Sequence, residues 1–253
     1  MSRHLAILRK AKLDAEMLGS VAPLRHGEAT GRGGTAAAPA LADPAQSRDQ
    51  LQQLVHQLFL RRGPVARYAL GLVSATAGEG TSYVAFSLTA ELARSTAHPA
   101  LLLEANMYRP SQAERLGVEP HPGLRQILLD PKLPIEQCLR QTAIQHLWLL
   151  PAGPAGSSFG GAPDWTGFRK IFQALRERFA AIVADLPPIN LSTDAQIVSA
   201  LFDGVALVVQ ADLCSREVIQ NSVARLRRAN PNVMGTILNR RKFFIPAPIY
   251  RRL

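Results

Sequence analysis

The sequence predicts an α/β domain organised as a doubly wound, mostly parallel sheet, and three observations carry the prediction. From Ala66 onward, short apolar runs alternate with longer amphipathic segments. The runs, among them YALGLVSA, AAIVAD and GVALVVQAD, have the character of strands buried on both faces, which is how strands read when helices cover a parallel sheet on two sides. A chain of 253 residues with 47% hydrophobic content can bury one sizeable core but is too short for two large domains.

Each element follows in order. The opening MSRHLAILRKAKLDAEMLG sets Leu5, Leu8, Leu13, Met17 and Leu18 at roughly helical spacing with basic residues between them, which predicts an amphipathic helix over 1–19. Residues 20–47 are rich in Ala, Gly and Pro without a period and read as a flexible linker. RDQLQQLVHQLFL resumes a helical period and opens a main domain over 48–242. Within that domain YALGLVSA, PALLLEA, HLWLLPAG, AAIVAD, GVALVVQAD and NVMGTILNR are strand-like in length and content. The segment after Thr81, then PGLRQILLD, FRKIFQALRERF, TDAQIVSALF and REVIQNSVARLRRA, supply the intervening helices. Residues 243–253 form a basic aromatic tail, and there is no internal repeat.

Composition narrows the function classes. The 29 basic residues against 19 acidic give a net charge of +10, which favours an anionic neighbour such as phosphate, nucleic acid or a lipid surface. Cys138 and Cys214 are the only cysteines, so neither a disulfide framework nor a metal-ligand spacing is present, as expected in a reducing compartment. The longest apolar runs are far shorter than a membrane span, and HLAIL is too short and too soon followed by charge for a signal peptide. A cytoplasmic protein with at most peripheral membrane contact is expected.

The stretch SATAGEGTSYVAFSLTAELAR, residues 74–94, carries the chemistry. The phosphate-binding loop pattern is Gly or Ala, four residues, then Gly-Lys-Ser/Thr; Ala75, Gly80, Thr81 and Ser82 occupy those places, with Gly78 inside the loop. Such glycines let backbone N–H groups converge on phosphate oxygens, the helix N-terminus adds partial positive charge, and the Ser82 hydroxyl is placed to ligate Mg²⁺. Thr81 replaces the lysine and brings a hydroxyl without charge. Loss of that contact costs roughly ten- to a hundredfold in nucleotide affinity and more in phosphoryl transfer. The chain's five lysines, at 10, 12, 132, 170 and 242, all lie outside the loop, so an arginine from elsewhere would have to replace the charge.

Over roughly residues 48–253 the chain resembles the bacterial tyrosine kinases of polysaccharide export and their relatives in the MinD/ParA superfamily of P-loop NTPases. LLLEANMYRPS is similar to the kinases' DAD-RRPS segment, with Glu104 and Asn106 where two aspartates stand and with Arg109, Pro110 and Ser111 matching. PHPGLRQIL and LWLLPAGP resemble further family segments, and FAAIVADLPPINLSTDA resembles YDYVIIDTPP…TDA. The resemblance implies ATP and Mg²⁺ as cofactors, Asp185 as the catalytic-type carboxylate, and Ser82 and Asp185 as metal-facing residues. Gly78, Gly80, Thr81, Ser82 and Tyr83 line the nucleotide, and GTILNRR brings Asn239 toward the base. A sheet-edge capping role is the alternative for Asp185, and a packing role for Tyr83.

Three positions needed for kinase chemistry, Thr81, Glu104 and Asn106, are altered. The tail has one tyrosine, Tyr250, rather than a cluster, and Tyr68, Tyr83 and Tyr108 read as structural aromatics within the domain. The expected function is therefore a degenerate, pseudokinase-like accessory or regulatory protein of exopolysaccharide biosynthesis and export. It would bind nucleotide with impaired phosphoryl transfer. The alternative is an active MinD/ParA-type ATPase of polysaccharide assembly or cellular positioning. The implied partners are an inner-membrane polysaccharide co-polymerase or export component and an anionic membrane surface at the cytoplasmic face, with homo-oligomerisation open. Arg240, Arg241, Lys242, Arg251 and Arg252 interleave with Phe243, Phe244 and Tyr250 in a manner that suits lipid headgroups. Nucleic acid ranks lower for want of a recognition motif.

Overall fold

The computed structural model describes residues 44–59, 67–130, 132–154 and 165–240. The expected N-terminal helix over 1–19, most of the linker and the tail over 243–253 lie outside the described residues. Seven strands form one sheet: β1 (Tyr68–Ser74), β2 (Ala100–Glu104), β3 (Arg140–Gln141), β4 (Leu147–Leu150), β5 (Ala181–Asp185), β6 (Gly204–Gln210) and β7 (Val233–Asn239). The helices are α1 (Pro44–Leu58), α2 (Thr81–Thr96), α3 (Gln112–Leu116), α4 (Leu124–Leu129), α5 (Trp165–Arg178), α6 (Thr193–Ser199) and α7 (Arg216–Ala229). The strand order is β3-β4-β2-β5-β1-β6-β7, parallel except for the β3–β4 pair. The expected doubly wound, mostly parallel sheet is the observed one.

The two faces of the sheet explain the continuous apolar runs. Ala69 and Val73 of β1, Leu101 and Leu103 of β2, Ile182 and Ala184 of β5, and Val205 and Leu207 of β6 turn to one layer, where Phe168, Phe172 and Leu175 of α5 pack. Leu70, Leu72, Leu102, Val183, Ala206 and Val208 turn to the other, against Val84, Leu88 and Leu92 of α2. The period of two along each strand sends alternate residues to opposite layers, and both layers are dry. Fully burying each Leu or Val contributes about 1.5–3 kcal/mol, so these strands tolerate no polar residue until their C-terminal ends. There, Glu104 and Asp185 stand opposite each other in the β2–β5 register.

Helix α1 starts at Pro44, four residues inside the segment read as linker, and Pro suits the first helical position because that turn needs no N–H. Leu51, Leu54, Val55 and Leu58 bury one face of α1 in the layer that holds α2. Gln52 donates to Glu91 of α2 at 3.1 Å, so the helix belongs to the domain rather than to a tether. The five-residue α3 and the two-residue β3 went unread in the sequence because neither is long enough to show a period. No helix among the described residues is long and apolar enough to cross a membrane.

The chain runs from β1 to β2 on one side, leaving β5 to fill the gap, and later to β6 and β7 on the other side of β1. A reversal of this kind opens a crevice at the carboxyl ends of the strands, where ligands of open α/β sheets bind.

Candidate functional site

The loop between β1 and α2, residues 75–80, sits at that crevice. Gly78 and Gly80 hold φ of 90° and 85°, a left-handed backbone that glycine adopts without a Cβ penalty. Gly80 has a second constraint, because a Cβ there would stand 2.2 Å from Asn239 Nδ2. The loop is stapled from within by Glu79, which is fully buried. Glu79 Oε2 accepts from the backbone N–H groups of Ala75 at 2.7 Å and Thr76 at 3.0 Å, while Oε1 accepts from the Cys214 thiol at 3.0 Å. From β7, Asn239 Nδ2 donates to the Glu79 carbonyl at 2.8 Å. With the shape of the loop fixed by these bonds, the opening N–H groups of α2 face the crevice without intrahelical acceptors, as at any helix start.

Asp185, at the end of β5, is buried with Ser82 and Gln112 around it. The Ser82 hydroxyl is near enough to favour its ionised carboxylate. Gln112 Nε2 donates to Asp185 Oδ2 at 3.0 Å and to the Ser82 carbonyl at 2.8 Å. Burial pushes the Asp185 carboxyl up to about 7, against the opposing effects of Ser82 and Gln112, and nearby Glu104 raises it further. Asp185 Oδ1, Gln112 Oε1 and Thr81 Oγ1 are buried polar atoms without a hydrogen-bond partner. Orphaned acceptors of this kind are rare in a native interior unless something else satisfies them. Carboxylate, hydroxyl and amide oxygens are the donors that Mg²⁺ takes, so the residues present fit that ion.

The structure brings Gly78, Gly80, Thr81 and Ser82 to the start of α2, with Asp185 beside Ser82 across Gln112. Asn239 is fully buried, with Nδ2 on the Glu79 carbonyl and Oδ1 accepting from Arg240 N at 2.9 Å, so it braces the loop. The Tyr83 ring lies under the Arg115 guanidinium, 5.6 Å from its centroid. Tyr108 departs from the expectation of a structural aromatic: it is 64% exposed, and its hydroxyl donates to Asp194.

Glu104 turns both carboxylate oxygens onto backbone N–H groups. Its Oε1 accepts from Ser111 N at 2.6 Å and Gln112 N at 2.7 Å, and its Oε2 accepts from Ala152 N at 3.0 Å. Burial raises its carboxyl while these three donors oppose the shift. Glu104 is thus the organiser of the β2–α3 connection, and it positions Gln112. Sequence reasoning missed Glu79, Gln112 and Arg240 as parts of the site. A glutamate between two loop glycines was the one available signal, since a charge is seldom buried without partners.

No protein-family model matches the chain. In sequence, it is 26% identical over 174 residues to the tyrosine-protein kinase CpsD of Streptococcus agalactiae, a match that covers 68% of this chain and 74% of that protein. Its homologues are bacterial tyrosine-protein kinases. The kinase domain of the Escherichia coli tyrosine kinase ETK superposes with a TM-score of 0.77 at 19% identity, covering 93% of this chain and 96% of that domain. The likeness extends to the septum site-determining protein MinD of Pyrococcus horikoshii, solved with Mg-ADP, at a TM-score of 0.57 and 19% identity, over 73% of this chain and 76% of that one. The tyrosine kinase and MinD folds share the mostly parallel sheet with flanking helices described above. In this chain Asp185 is buried beside Ser82, and Thr81 at the head of α2 is a buried, uncharged residue.

Proposed function

We propose that the protein is a kinase-like accessory or regulatory component of exopolysaccharide synthesis and export that binds a magnesium nucleotide but is impaired in phosphoryl transfer. The observation that carries this reading is the split character of the site. Ser82 and Asp185 remain joined beside orphaned buried oxygens, which supports metal and phosphate binding. Thr81 is buried and neutral at the head of α2, which removes the charge that follows the γ-phosphoryl group in related loops.

In this reading the amides of the loop and of the α2 N-terminus bind the phosphates, and Ser82 with Asp185 holds the ion. When bound, Mg²⁺ supplies positive charge against the phosphate oxygens. In this reading Asp185 holds the ion, and neither of the two altered acidic positions offers a carboxylate to take the proton from an attacking hydroxyl. Glu104 is committed to three backbone amides, and Asn106 cannot ionise. Binding without efficient transfer is what remains. The partner in this proposal is an inner-membrane polysaccharide co-polymerase or export component, approached from the cytoplasmic side with the basic segments near anionic lipid.

Calorimetry with Mg·ATP, paired with assays for hydrolysis and tyrosine autophosphorylation, tests the reading. Expected are binding that Asp185→Ala abolishes and no detectable autophosphorylation, even in Thr81→Lys. Autophosphorylation by the wild type that Ser82→Ala removes would overturn it. The retained Ser82 and Asp185 pair also favours a second reading, an active MinD/ParA-type ATPase, and steady Mg·ATP hydrolysis without tyrosine phosphorylation would establish it.

A further inference from the structure

The charge missing at Thr81 has a candidate source on another strand. Arg240 follows β7 with φ of 55°, a left-handed backbone that costs a non-glycine residue energy and tends to occur at functional positions. Its Nη1 donates to the Gly78 carbonyl of the phosphate loop at 3.3 Å and to Gln210 Oε1 at 2.9 Å. Its Nε lies 4.0 Å from where a Cβ on Gly80 would stand. The preceding Asn239 fixes this placement, because its side chain bonds both the Glu79 carbonyl and the Arg240 N–H. The guanidinium is exposed, and among the described residues no carboxylate forms an ion pair with it.

We propose that Arg240 is a phosphate-binding residue of the nucleotide site and supplies from β7 the positive charge that Thr81 does not supply from α2. The inference rests on the reading that this loop binds a nucleotide. Arg240 now donates to two neutral oxygens. Exchanging one of them for a phosphate oxygen sets the guanidinium against an opposite charge rather than a neutral oxygen, and its fork can engage two phosphate oxygens at once. Arg115 near Asp185 has its guanidinium over the Tyr83 and Phe86 rings, whereas Arg240 bonds the loop itself at Gly78.

The test is calorimetry on the full chain with Mg·ATP, Mg·ADP and inorganic tripolyphosphate. The variants are Arg240→Ala, Arg240→Gln and Arg240→Lys, each first checked by its thermal transition without ligand. Arg240→Gln removes the charge and shortens the side chain while keeping an amide donor, and Arg240→Lys keeps the charge without the fork. Loss of one charge-assisted contact predicts that Arg240→Ala and Arg240→Gln bind ATP and tripolyphosphate ~10–100-fold more weakly. Arg240→Lys should retain most of the affinity, and adding Thr81→Lys to Arg240→Ala should restore it. The salt dependence of binding should be shallower in the uncharged variants. Wild-type binding that Arg240→Gln matches would overturn this inference and leave the nucleotide reading standing. Loss of ATP affinity with tripolyphosphate affinity unchanged would also overturn it, since the contact would then be to base or sugar. No binding by the wild type would overturn both.

Discussion

Replacing Glu79 tests whether a buried carboxylate gives the phosphate loop its shape. In Glu79→Ala, the N–H groups of Ala75 and Thr76, now held at 2.7 Å and 3.0 Å, lose their acceptor. A buried donor left unpaired costs about 1–3 kcal/mol. Ala75 is buried and Thr76 half-buried, so one of the two can recover a water and the sum falls at about 2–4 kcal/mol. Glu79→Gln keeps one oxygen for both N–H groups, gives up the charge assistance, and turns its amide toward Cys214, at a cost of about 1–2 kcal/mol. The expected order of stability is wild type, then Gln, then Ala, read from urea denaturation midpoints at constant slope. Because the loop can also open locally, amide hydrogen exchange should show Ala75 and Thr76 protected in the wild type and fast in Glu79→Ala. Both variants lying within about 0.5 kcal/mol of wild type, the range of ordinary surface changes, would refute the stapling argument.

Three further expectations follow from the site. The Asp185 carboxyl titrates near 7 when folded against an ordinary value of 3.8, so the metal-free folded state holds a proton that the unfolded chain has released. Stability therefore falls as pH rises from about 4 to about 7, by roughly 4 kcal/mol in total at ~1.4 kcal/mol per pH unit. In chelator, Asp185→Asn should gain on the wild type across that window and level off above it, and a gap that does not change with pH would contradict the cause given. Gly78→Ala and Gly80→Ala both force a left-handed residue at about 1–2 kcal/mol, but only the second drives a Cβ to 2.2 Å from Asn239 Nδ2. Gly80→Ala should thus be more destabilising by about 1–3 kcal/mol in thermal melts, and equal costs would remove Asn239 as a brace. Deleting residues 241–253 should weaken binding to anionic vesicles in a salt-dependent manner, and unchanged vesicle binding would assign the attachment elsewhere.

The buried carboxylates connect these outcomes. Asp185 and Glu104 stand on adjacent strands in register, and the Glu104 charge adds to burial in keeping Asp185 protonated. Three backbone donors satisfy Glu104, whereas Asp185 keeps one oxygen without a partner. The unfilled position is therefore at Asp185, where a cation would relieve both the desolvation and the repulsion. Stability in the absence of ligand is lower in consequence, a common property of sites arranged for a ligand.

The sequence by itself determined the layered fold and the place of the site. Strands buried on both faces must be apolar along their whole length, so β1, β2, β5 and β6 are legible as runs, and the first polar residues after them, Glu104 and Asp185, fall at the crevice. The glycines are legible because a tight strand-to-helix turn with left-handed backbone demands them at fixed spacing, and Ser82 because it follows that turn at the head of α2. What each polar side chain touches was decided only by the tertiary structure. Glu79 meets Cys214 across 135 positions, and Asn239 meets the Glu79 carbonyl across 160. Nothing local in the chain encodes such a meeting. Glu104 reads in one dimension only as an altered acidic position, and in three it is an acceptor for three backbone N–H groups. Arg240 reads as the start of a basic tail and rests on the phosphate loop. Periodicity records which face of an element is buried, a property of neighbours in sequence. Hydrogen-bond pairing depends on how the sheet brings distant strand ends together, and that is settled only when the sheet closes around its core.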